Sequence, residues 1–318
     1  MIDLRLGDCL IESDKIESGS VDLILTDLPY GTVKDIKNVN HGMSGKCDWD
    51  EVIDTNEVYK VANRILRKNG KMVLFAQQPF TNELINKTHI NIPFCYSMIW
   101  EKDHFANALT AKKAPLNYYE DVLVWYKHYD LERKHPLIDY ANYLRKETNY
   151  NRIEWNKKLT NTVHHFMEAS PKTKHFKLCP EHTYKQMIEY FNIDKLNGFI
   201  PYLELKQIDN EFKKKFASTF NLWEGKKYKS NILKYKKDYT GHHPTQKPIL
   251  LLEDLIKTFS NENDLVVDLT MGSGSTMVAC QNTNRNGIGI EQDQKYFKIA
   301  QERIKPLTPN KQTQLNLL

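Results

Sequence analysis

The chain has only five cysteines among 318 residues, and no two of them are spaced as Cys-x-x-Cys. A disulfide framework and a zinc finger are therefore excluded as organising devices, which is typical of a reduced, cytoplasmic protein. No apolar run approaches the roughly 18 residues that a membrane span requires, and the N-terminus resembles a strand, not a signal peptide. The cysteines are Cys9, Cys47, Cys95, Cys179 and Cys280.

Arginine is also scarce, because only 8 of the 45 basic residues are Arg. The basic residues are unevenly placed. Residues 127–240 contain 23 Lys and Arg against 14 Asp and Glu, whereas the remaining chain is net acidic. A basic middle region is typical of a protein that contacts a polyanion such as nucleic acid. A solvated lysine-rich surface has the same charge, so composition alone leaves both interpretations open.

The two ends of the chain show the pattern of an α/β fold. The length predicts two domains, or one large domain with an insertion. Short apolar runs, typical of buried strands, alternate with segments of helical periodicity. The predicted helices are Asn56–Leu66, one that begins at Pro248 and a last one around Phe297. Lys68-Asn69-Gly70 is expected to end the first of them. This alternation predicts a doubly wound, mostly parallel sheet. The predicted strands are Met1–Leu6, Val21–Thr26, Met72–Ala76, Tyr96–Trp100, Asp121–Tyr126, Leu265–Leu269 and Gly287–Glu291.

Residues 127–240 lack this alternation and are rich in Tyr, Asn, His and Lys. So many aromatic residues are not typical of a disordered linker, and a separate inserted module is expected. Helices are predicted near Glu181–Phe191 and Tyr202–Phe216. The predicted divisions of the chain are 1–126, the insertion 127–240, 241–305, and a tail at 306–318.

The sharpest motif is Asp27-Leu28-Pro29-Tyr30, which follows a predicted strand, where open α/β sheets form their ligand crevice. Pro29 disfavours a helical Leu28, so the Leu28 carbonyl is expected to turn outward beside the Asp27 carboxylate. Two adjacent acceptors suit an amino group with two hydrogens, and Tyr30 offers a face on which a base can stack. The motif indicates methyl transfer to an exocyclic amine, because hydrogen bonds stabilise the positive charge that develops there. A purely structural turn is the competing interpretation for the motif taken alone.

A second motif, Asp268-Leu-Thr-Met-Gly-Ser-Gly-Ser-Thr276, lies between a predicted strand and a helix. Glu291 follows at the end of the next predicted strand. A glycine-rich turn after one strand and an acid after the next are typical of a nucleotide-cofactor site, with the carboxylate on the ribose hydroxyls. Met277 stands where the dinucleotide motif needs a small residue, so S-adenosylmethionine fits better than NAD.

Two further segments are weaker signals on their own. Gly7-Asp8-Cys9 ends the first predicted strand and can place a carboxylate on an adenine amino group. His243-Pro-Thr-Gln-Lys-Pro248 precedes a predicted helix and offers a Thr and a Lys, although it is also typical of a simple helix boundary. No metal site is indicated, because the ligands that His242 and His243 would need are not spaced for one.

Together these motifs resemble those of the β-type amino DNA methyltransferases. In that family a DPPY-like catalytic motif comes first, the target-recognition region lies in the middle, and the cofactor motif comes last. The resemblance covers roughly 1–126 and 240–305, and it includes Arg64–Ala76, Ile99–Lys102 and Glu120–Lys127. It implies an S-adenosylmethionine-dependent enzyme that turns an adenine out of double-stranded DNA and methylates it directly, without a cysteine nucleophile.

The resemblance also implies a role for individual residues. Asp27, Leu28, Pro29 and Tyr30 hold and activate the target base. Asp8, with Cys9 beside it, contacts the adenine of the cofactor, and Thr245 and Lys247 contact its methionine end. The remaining cofactor contacts come from the second motif and the acid that follows it; these are Asp268, Thr270, Gly272, Ser273, Gly274, Ser275, Thr276 and Glu291.

Two departures from the family pattern are visible. The usual DPPY is DLPY here, and since the second residue acts mainly through its carbonyl, activity is expected to survive. Relatives commonly carry His-Glu where this chain has Tyr119-Glu120, which affects only the packing around the flipped base.

The aspartate at position 27 is the residue by which the chain resembles adenine-N6 enzymes, whereas a serine is commoner at this position in cytosine-N4 enzymes. Adenine N6 is therefore predicted, with cytosine N4 as the alternative.

Three further functions stay open on sequence grounds, namely those of an RNA methyltransferase, a non-catalytic DNA-binding relative and an NAD-linked dehydrogenase. The intact Asp27–Tyr30 motif argues against the last two.

The predicted partner is double-stranded DNA. Lysines of the insertion are expected to contact its phosphates, so that the affinity for DNA falls steeply with salt. The resemblance also allows a homodimer and a cognate restriction endonuclease. No membrane partner is expected, and the predicted location is the cytoplasm, in association with the nucleoid.

Overall fold

The computed structural model describes residues 1–30, 52–106, 111–128, 135–161, 163–168, 176–238 and 246–304. The chain divides into two compact units. The larger unit consists of Met1–His128 and Ser218–Leu318, and the insert unit is Tyr129–Ala217. Within the described ranges, no helix is both long enough and apolar enough to cross a membrane.

The larger unit is built on one mixed sheet, whose strands in the described residues are β1 (Ile2–Leu6), β2 (Val21–Thr26), β3 (Leu66–Ala76), β4 (Phe94–Ala106), β5 (Asn117–Tyr126), β6 (Ile232–Lys234), β7 (Leu265–Asp268) and β8 (Asn286–Glu291). Their order across the sheet is β1-β8-β7-β2-β3-β5-β4-β6. Neighbouring strands are parallel except at β5, which is antiparallel to both β3 and β4. The seven predicted strands are all present, and the mostly parallel sheet is confirmed.

The helices of the described residues are α1 (Cys9–Ser13), α2 (Thr55–Ile65), α3 (Phe80–Asn86), α4 (Leu137–Glu147), α5 (Arg152–Lys158), α6 (His164–Met167), α7 (Glu181–Phe191), α8 (Tyr202–Lys215), α9 (Ile249–Phe259), α10 (Ser275–Asn282) and α11 (Gln294–Arg303). Apolar side chains of the central strands alternate between the two faces of the sheet. Ile24 of β2 packs into a core with α2 and α3, whereas Leu23 and Leu25 pack into a second core with α9 and α10. Both faces are covered, which confirms the doubly wound fold.

The end of α2 differs from the sequence prediction. The helix ends at Ile65, and β3 contains the Lys68-Asn69-Gly70 segment that the sequence predicts as its stop. Leu66 pairs with Val21 and Lys71 with Leu23, so residues 67–70 form a bulge opposite a single residue of β2. Asn69 has a φ of 63°, which asparagine tolerates. The predicted helix stop is therefore a bulge within a strand, because pairing with β2 outweighs the local signal.

The insert unit is also shorter at its C-terminal end than the predicted region 127–240. Residues 218–238 belong to the larger unit, where β6 pairs with β4. Asn221 fixes the same segment, since its side-chain amide donates to the carbonyl oxygens of Lys257 and Ser260 at the end of α9. A three-residue edge strand carries too little periodicity to be found in the sequence.

The aromatic residues of the insert unit form an apolar core of its own. Trp155 is 2% exposed and stacks on Phe191, with ring centroids 3.7 Å apart. The hydroxyls of Tyr140 and Tyr184 lie 2.6 Å apart in the same core. These side chains therefore stabilise the unit and are not available for stacking on bases.

Gly274, just before α10, is expected to be essential for stability. Its φ is +80°, and a Cβ there would lie 2.9 Å from the Cβ of Ala300 on α11. Gly274→Ala is expected to lower the free energy of unfolding by about 3 kcal/mol, from backbone strain and overpacking together. Denaturation followed by circular dichroism measures this. Gly225→Ala is the matched control, because Gly225 has a φ of +71° with open space around it. It should cost only about 1 kcal/mol, and equal losses would contradict the packing argument.

Candidate active site

A cleft of about 660 Å³ opens at the carboxyl ends of β2 and β7. These strands are neighbours in the sheet, with Leu23 paired to Val266. The chain leaves them in opposite directions, from β2 towards β3 and from β7 towards β8. The two following loops therefore separate and leave a crevice, which is where open α/β sheets bind their ligands.

The segment Asp27–Tyr30 forms one wall of this cleft. The Tyr30 hydroxyl donates a 2.8 Å hydrogen bond to Asp27 Oδ1, and the Tyr30 ring lies against Phe80 with centroids 5.2 Å apart. Leu28 packs its side chain into the core beneath. Burial and the Asp27 carboxylate raise the pKa of Tyr30 well above its usual value, so its hydroxyl stays a donor. A carboxylate and an aromatic ring thus line the cleft side by side.

Thr270, in the loop after β7, joins this wall to the glycine-rich turn. Its hydroxyl donates to the Asp27 carbonyl oxygen at 2.9 Å and lies 2.8 Å from the Thr26 hydroxyl. Its N–H donates to Asp268 Oδ1 at 3.1 Å. The position of Asp27 is therefore coupled to the turn on the far side of the cleft.

Charged side chains from three other elements surround Asp27. Lys247, just before α9, donates from Nζ to Asp27 Oδ2, and the same Nζ lies 3.2 Å from Glu120 Oε2 on β5. Lys102 Nζ, on β4, lies 2.6 Å from Glu120 Oε1. Burial raises the pKa of Asp27, and Lys247 opposes this rise. Burial would also raise the pKa of Glu120, but Lys247 and Lys102 hold it below its usual value.

The glycine-rich turn is organised by Glu291 and Arg303. Glu291 accepts the N–H of Gly272 at 2.9 Å on one oxygen and the N–H of Asp293 at 2.8 Å on the other. Arg303 Nη1 donates to the carbonyl oxygen and hydroxyl of Ser273, at 2.7 and 2.9 Å. Burial raises the pKa of Glu291. Two charged groups, 19 and 30 positions after the turn residues that they contact, thus hold the backbone of the turn in place.

Asp8 and Cys9 lie at the end of β1, next to Glu291. Asp8 Oδ1 accepts the N–H of Leu10 at 2.7 Å and so caps α1. The Gly7 N–H donates to the Glu291 carbonyl oxygen at 2.9 Å. Burial raises the pKa of Cys9 to about 12, so its thiol is neutral and unsuited to act as a nucleophile.

The structure brings nearly all the predicted site residues together. Gly274 is the exception among those described, because it packs against Ala300 and is not part of the cleft lining. Thr245 lies outside the described residues. The predicted residues that line the cleft are Asp8, Cys9, Asp27, Leu28, Pro29, Tyr30, Lys247, Asp268, Thr270, Gly272, Ser273, Ser275, Thr276 and Glu291.

Two charged residues of the cleft, Lys102 and Glu120, lie in segments that resemble the family, but neither is predicted from the sequence as a site residue. They lie on the antiparallel pair β4 and β5, where Trp100 is the partner of Glu120. Their signal in the sequence is a charged residue at the end of an apolar strand, which is also typical of a strand that simply reaches solvent. Their burial, at 5% and 8% exposure, is apparent only in the fold.

Solved methyltransferase structures share this fold. The crystal structure of the M1.HpyAVI–SAM complex matches with a TM-score of 0.52 and 19% identity, covering 96% of this chain and 100% of that one. The PvuII DNA methyltransferase, a cytosine-N4-specific enzyme, matches with a TM-score of 0.50 and 13% identity, covering 96% and 87%. At these identities the likeness concerns the fold alone.

Two relatives match along most of the sequence. Type II methyltransferase M.HpaI of Haemophilus parainfluenzae is 25% identical over 295 residues, which are 91% of this chain and 69% of the relative. DNA adenine methyltransferase YhdJ of Escherichia coli K12 is 26% identical over 305 residues, which are 94% of this chain and 81% of the relative.

The sequence profile of a DNA methylase family, the N6/N4 methyltransferases, matches residues 21–302. This range contains the Asp27–Tyr30 wall, Lys247, the glycine-rich turn and Glu291, which are the parts that meet in the cleft. The chain therefore belongs to the N6/N4 family of DNA methylases, enzymes that take their methyl group from S-adenosylmethionine.

Proposed function

We propose that this DNA methylase methylates N6 of adenine in double-stranded DNA, at a base turned out of the duplex into the cleft. The observation that carries the proposal is the Asp27 carboxylate beside the Tyr30 ring in the cleft wall. An aspartate at this position is the feature by which the chain resembles adenine-N6 rather than cytosine-N4 enzymes. The relative YhdJ, a DNA adenine methyltransferase, supports the same choice.

Counting only partners among the described residues, Asp27 has acceptor capacity left for the target amine. An ionised carboxylate offers about four lone-pair positions. Tyr30 occupies one on Oδ1 and Lys247 occupies one on Oδ2. A hydrogen bond from the exocyclic amine to a remaining position draws the nitrogen lone pair out of conjugation. It also stabilises the positive charge that develops as the nitrogen attacks the methyl group.

An extruded base fits this cleft, because the Asp27 carboxylate and the Tyr30 ring line a crevice between two loops. Unstacking a base costs a few kcal/mol, and the Tyr30 ring offsets part of this by stacking on the base. Phe80 supports the ring of Tyr30. The wall formed by Asp27 and Tyr30 therefore both receives the base and holds its amine.

The other side of the cleft fits S-adenosylmethionine. Asp268 is a buried carboxylate whose hydrogen-bond partners, within the part of the chain that the structure describes, are neutral. They are the hydroxyls of Thr276 and Thr26 and the N–H of Thr270, so the carboxylate can pair with an amino-acid ammonium. Glu291 accepts one backbone N–H on each oxygen, and with respect to the described residues it keeps acceptor positions for two ribose hydroxyls. When bound, the cofactor supplies a methyl group on a positively charged sulfonium.

Asp268 is expected to make cofactor binding depend on pH. Burial raises the pKa of Asp268 to about 6. Protonation removes the charge that attracts the ammonium, so affinity should fall about tenfold for each pH unit below about 6. Calorimetric titration with S-adenosylmethionine between about pH 8 and about pH 5 measures this. An affinity that stays constant over this range would contradict the role of Asp268.

Asp268→Asn is the matched variant for this titration. It should bind the cofactor more weakly near pH 8 and lose the pH dependence. Because the folded-state pKa lies above the usual value, the ionised carboxylate destabilises the free enzyme as pH rises through about 6. The variant should therefore have a higher Tm than the wild type above that pH, in the absence of cofactor.

The insert unit is proposed to read the DNA sequence, as part of a target-recognition region that spans 127–240. Its lysines are exposed, as at Lys157, Lys158, Lys206 and Lys214, and suit phosphate contacts. Such contacts position the duplex but do not specify bases. Its separate aromatic core allows this unit to vary without disturbing the sheet of the larger unit.

The proposal is tested with methyl-labelled S-adenosylmethionine and unmethylated genomic DNA, digested to nucleosides and separated by chromatography. Label in N6-methyladenine is the expected result. Label in N4-methylcytosine would overturn the choice of base and leave the DNA methylase activity intact. Label in added RNA but not in DNA would overturn the DNA substrate as well.

A further inference from the structure

Four charged side chains form an alternating chain along one side of the cleft. In order they are Lys102, Glu120, Lys247 and Asp27, and each contact joins an ammonium to a carboxylate. Lys102, Glu120 and Lys247 are 5%, 8% and 7% exposed. The motifs associate Lys247 with the methionine end of the cofactor. In the structure, however, its Nζ is engaged by two carboxylates of the protein.

Contacts with an aromatic ring and two carboxylates restrict the conformation of the Lys247 side chain. Its ammonium lies 5.1 Å from the centre of the Phe75 ring, between the two carboxylates. Lys102 lies in the same way over Trp100, at 5.2 Å. Ammonium groups held against aromatic rings and away from water interact strongly with nearby carboxylates. The Lys102–Glu120 pair therefore keeps Lys247 directed at Asp27.

The geometry points to Lys247 as the positioning residue for Asp27, with Glu120 and Lys102 holding Lys247 in place. Lys247 fixes one oxygen of the carboxylate while Tyr30 fixes the other, and its charge keeps Asp27 ionised as an acceptor for the target amine. This assignment rests on the proposed function, because it concerns the group that receives the base.

Charged groups from three other segments act on Asp27, namely Lys247 before α9, Glu120 on β5 and Asp268 at the end of β7. Burial raises the pKa of Asp27, Lys247 lowers it, and Glu120 raises it. Tyr30 donates a hydrogen bond that also lowers it, and the Asp268 carboxylate interacts with it across the cleft. The array therefore contains two neighbours, Lys247 and Glu120, whose removal should shift the pKa of Asp27 in opposite directions.

The test is the pH profile of kcat/KM for DNA at saturating S-adenosylmethionine, so that protonation of Asp268 does not limit the rate and the acid limb follows Asp27. Since Asp27 acts when ionised, activity is lost as pH falls through its pKa. Lys247→Met is expected to move this limb upward by about one pH unit or more and to lower kcat at least about tenfold. Glu120→Gln is expected to move the limb downward. Lys247→Arg, which keeps the charge, should leave the limb near its wild-type position.

Lys229→Met is the matched control for loss of a buried ion pair. Lys229 pairs with Asp254 and does not line the cleft. The Lys229→Met substitution should leave the acid limb of the pH profile and kcat unchanged. A limb that moves in the same direction in Lys247→Met and Glu120→Gln would overturn the assignment. So would a Lys247→Met enzyme that binds S-adenosylmethionine much more weakly but keeps kcat and the limb, because Lys247 would then serve the cofactor.

A measurement without turnover separates this inference from the proposed function. Carbon-13 NMR titration of aspartate carboxyls, assigned with Asp27→Asn, gives the apparent pKa of Asp27 in each variant. The same opposite shifts are expected. If the wild type transfers no methyl group to DNA, the proposed function fails while this titration still decides the role of Lys247. If Lys247→Met does not fold, the Lys247→Arg and Glu120→Gln titrations decide it.

Discussion

Replacing Asp27 with alanine is expected to lower kcat for DNA methylation at least about 1000-fold, while affinity for S-adenosylmethionine changes little. The variant removes the acceptor that stabilises charge on the target amine and leaves the glycine-rich turn, Asp268 and Glu291 intact. Lys247 keeps Glu120 as a partner, so no cation is left unpaired and the fold should hold. Single-turnover transfer of labelled methyl groups, with calorimetric cofactor binding alongside, measures both quantities.

Tyr30→Phe is the matched variant for Asp27→Ala. It removes the hydroxyl that donates to Asp27 Oδ1 and keeps the ring for stacking. The expected loss in kcat is about tenfold or less, since one hydrogen bond to a charged group is removed and the carboxylate remains. An Asp27→Ala enzyme that retains substantial activity would refute the central role of this carboxylate. A large loss of cofactor affinity would show instead that Asp27 organises the whole cleft.

Replacing Glu291 with alanine is expected to weaken S-adenosylmethionine binding at least about 100-fold. The wild-type carboxylate accepts the N–H groups of Gly272 and Asp293 and has acceptor positions left for ribose hydroxyls. The variant thus loses the ribose contacts and loosens the glycine-rich turn at the same time. Calorimetric titration measures the affinity, and kcat at saturating cofactor should fall far less than in Asp27→Ala.

Glu291→Gln separates the two losses. It keeps one acceptor oxygen and the size of the side chain, but its amide group meets a backbone N–H that also donates, so an intermediate affinity is expected. Glu253→Ala is a control, because Glu253 accepts a hydrogen bond from Asn282 on α10 and does not line the cleft. Cofactor affinity within about threefold of wild type for Glu291→Ala would contradict the ribose role.

The central part of the fold and both halves of the cleft could be predicted from local patterns. Buried strands are visible as short apolar runs, and Pro29 and the glycines mark sharp turns directly after them. Strand position fixes which end of the sheet these turns occupy, so the Asp27 and Asp268 loops are expected at one edge. Where local signals compete with sheet pairing, the prediction is wrong. Lys68-Asn69-Gly70 has the pattern of a helix stop and forms a bulge in β3.

The sequence by itself therefore determined the fold class, the family and the two loops that face each other across the cleft, because each depends on short contiguous segments. Only the tertiary structure decided which charges meet. Asp27, Lys102, Glu120 and Lys247 come from four segments as far apart as 220 positions. The antiparallel β5 between β3 and β4 brings Glu120 and Lys102 to the end of the sheet where Asp27 lies, and Lys247 meets them from the segment before α9. Burial then makes their pairing strong, and burial is a property of the packed fold and not of any local pattern.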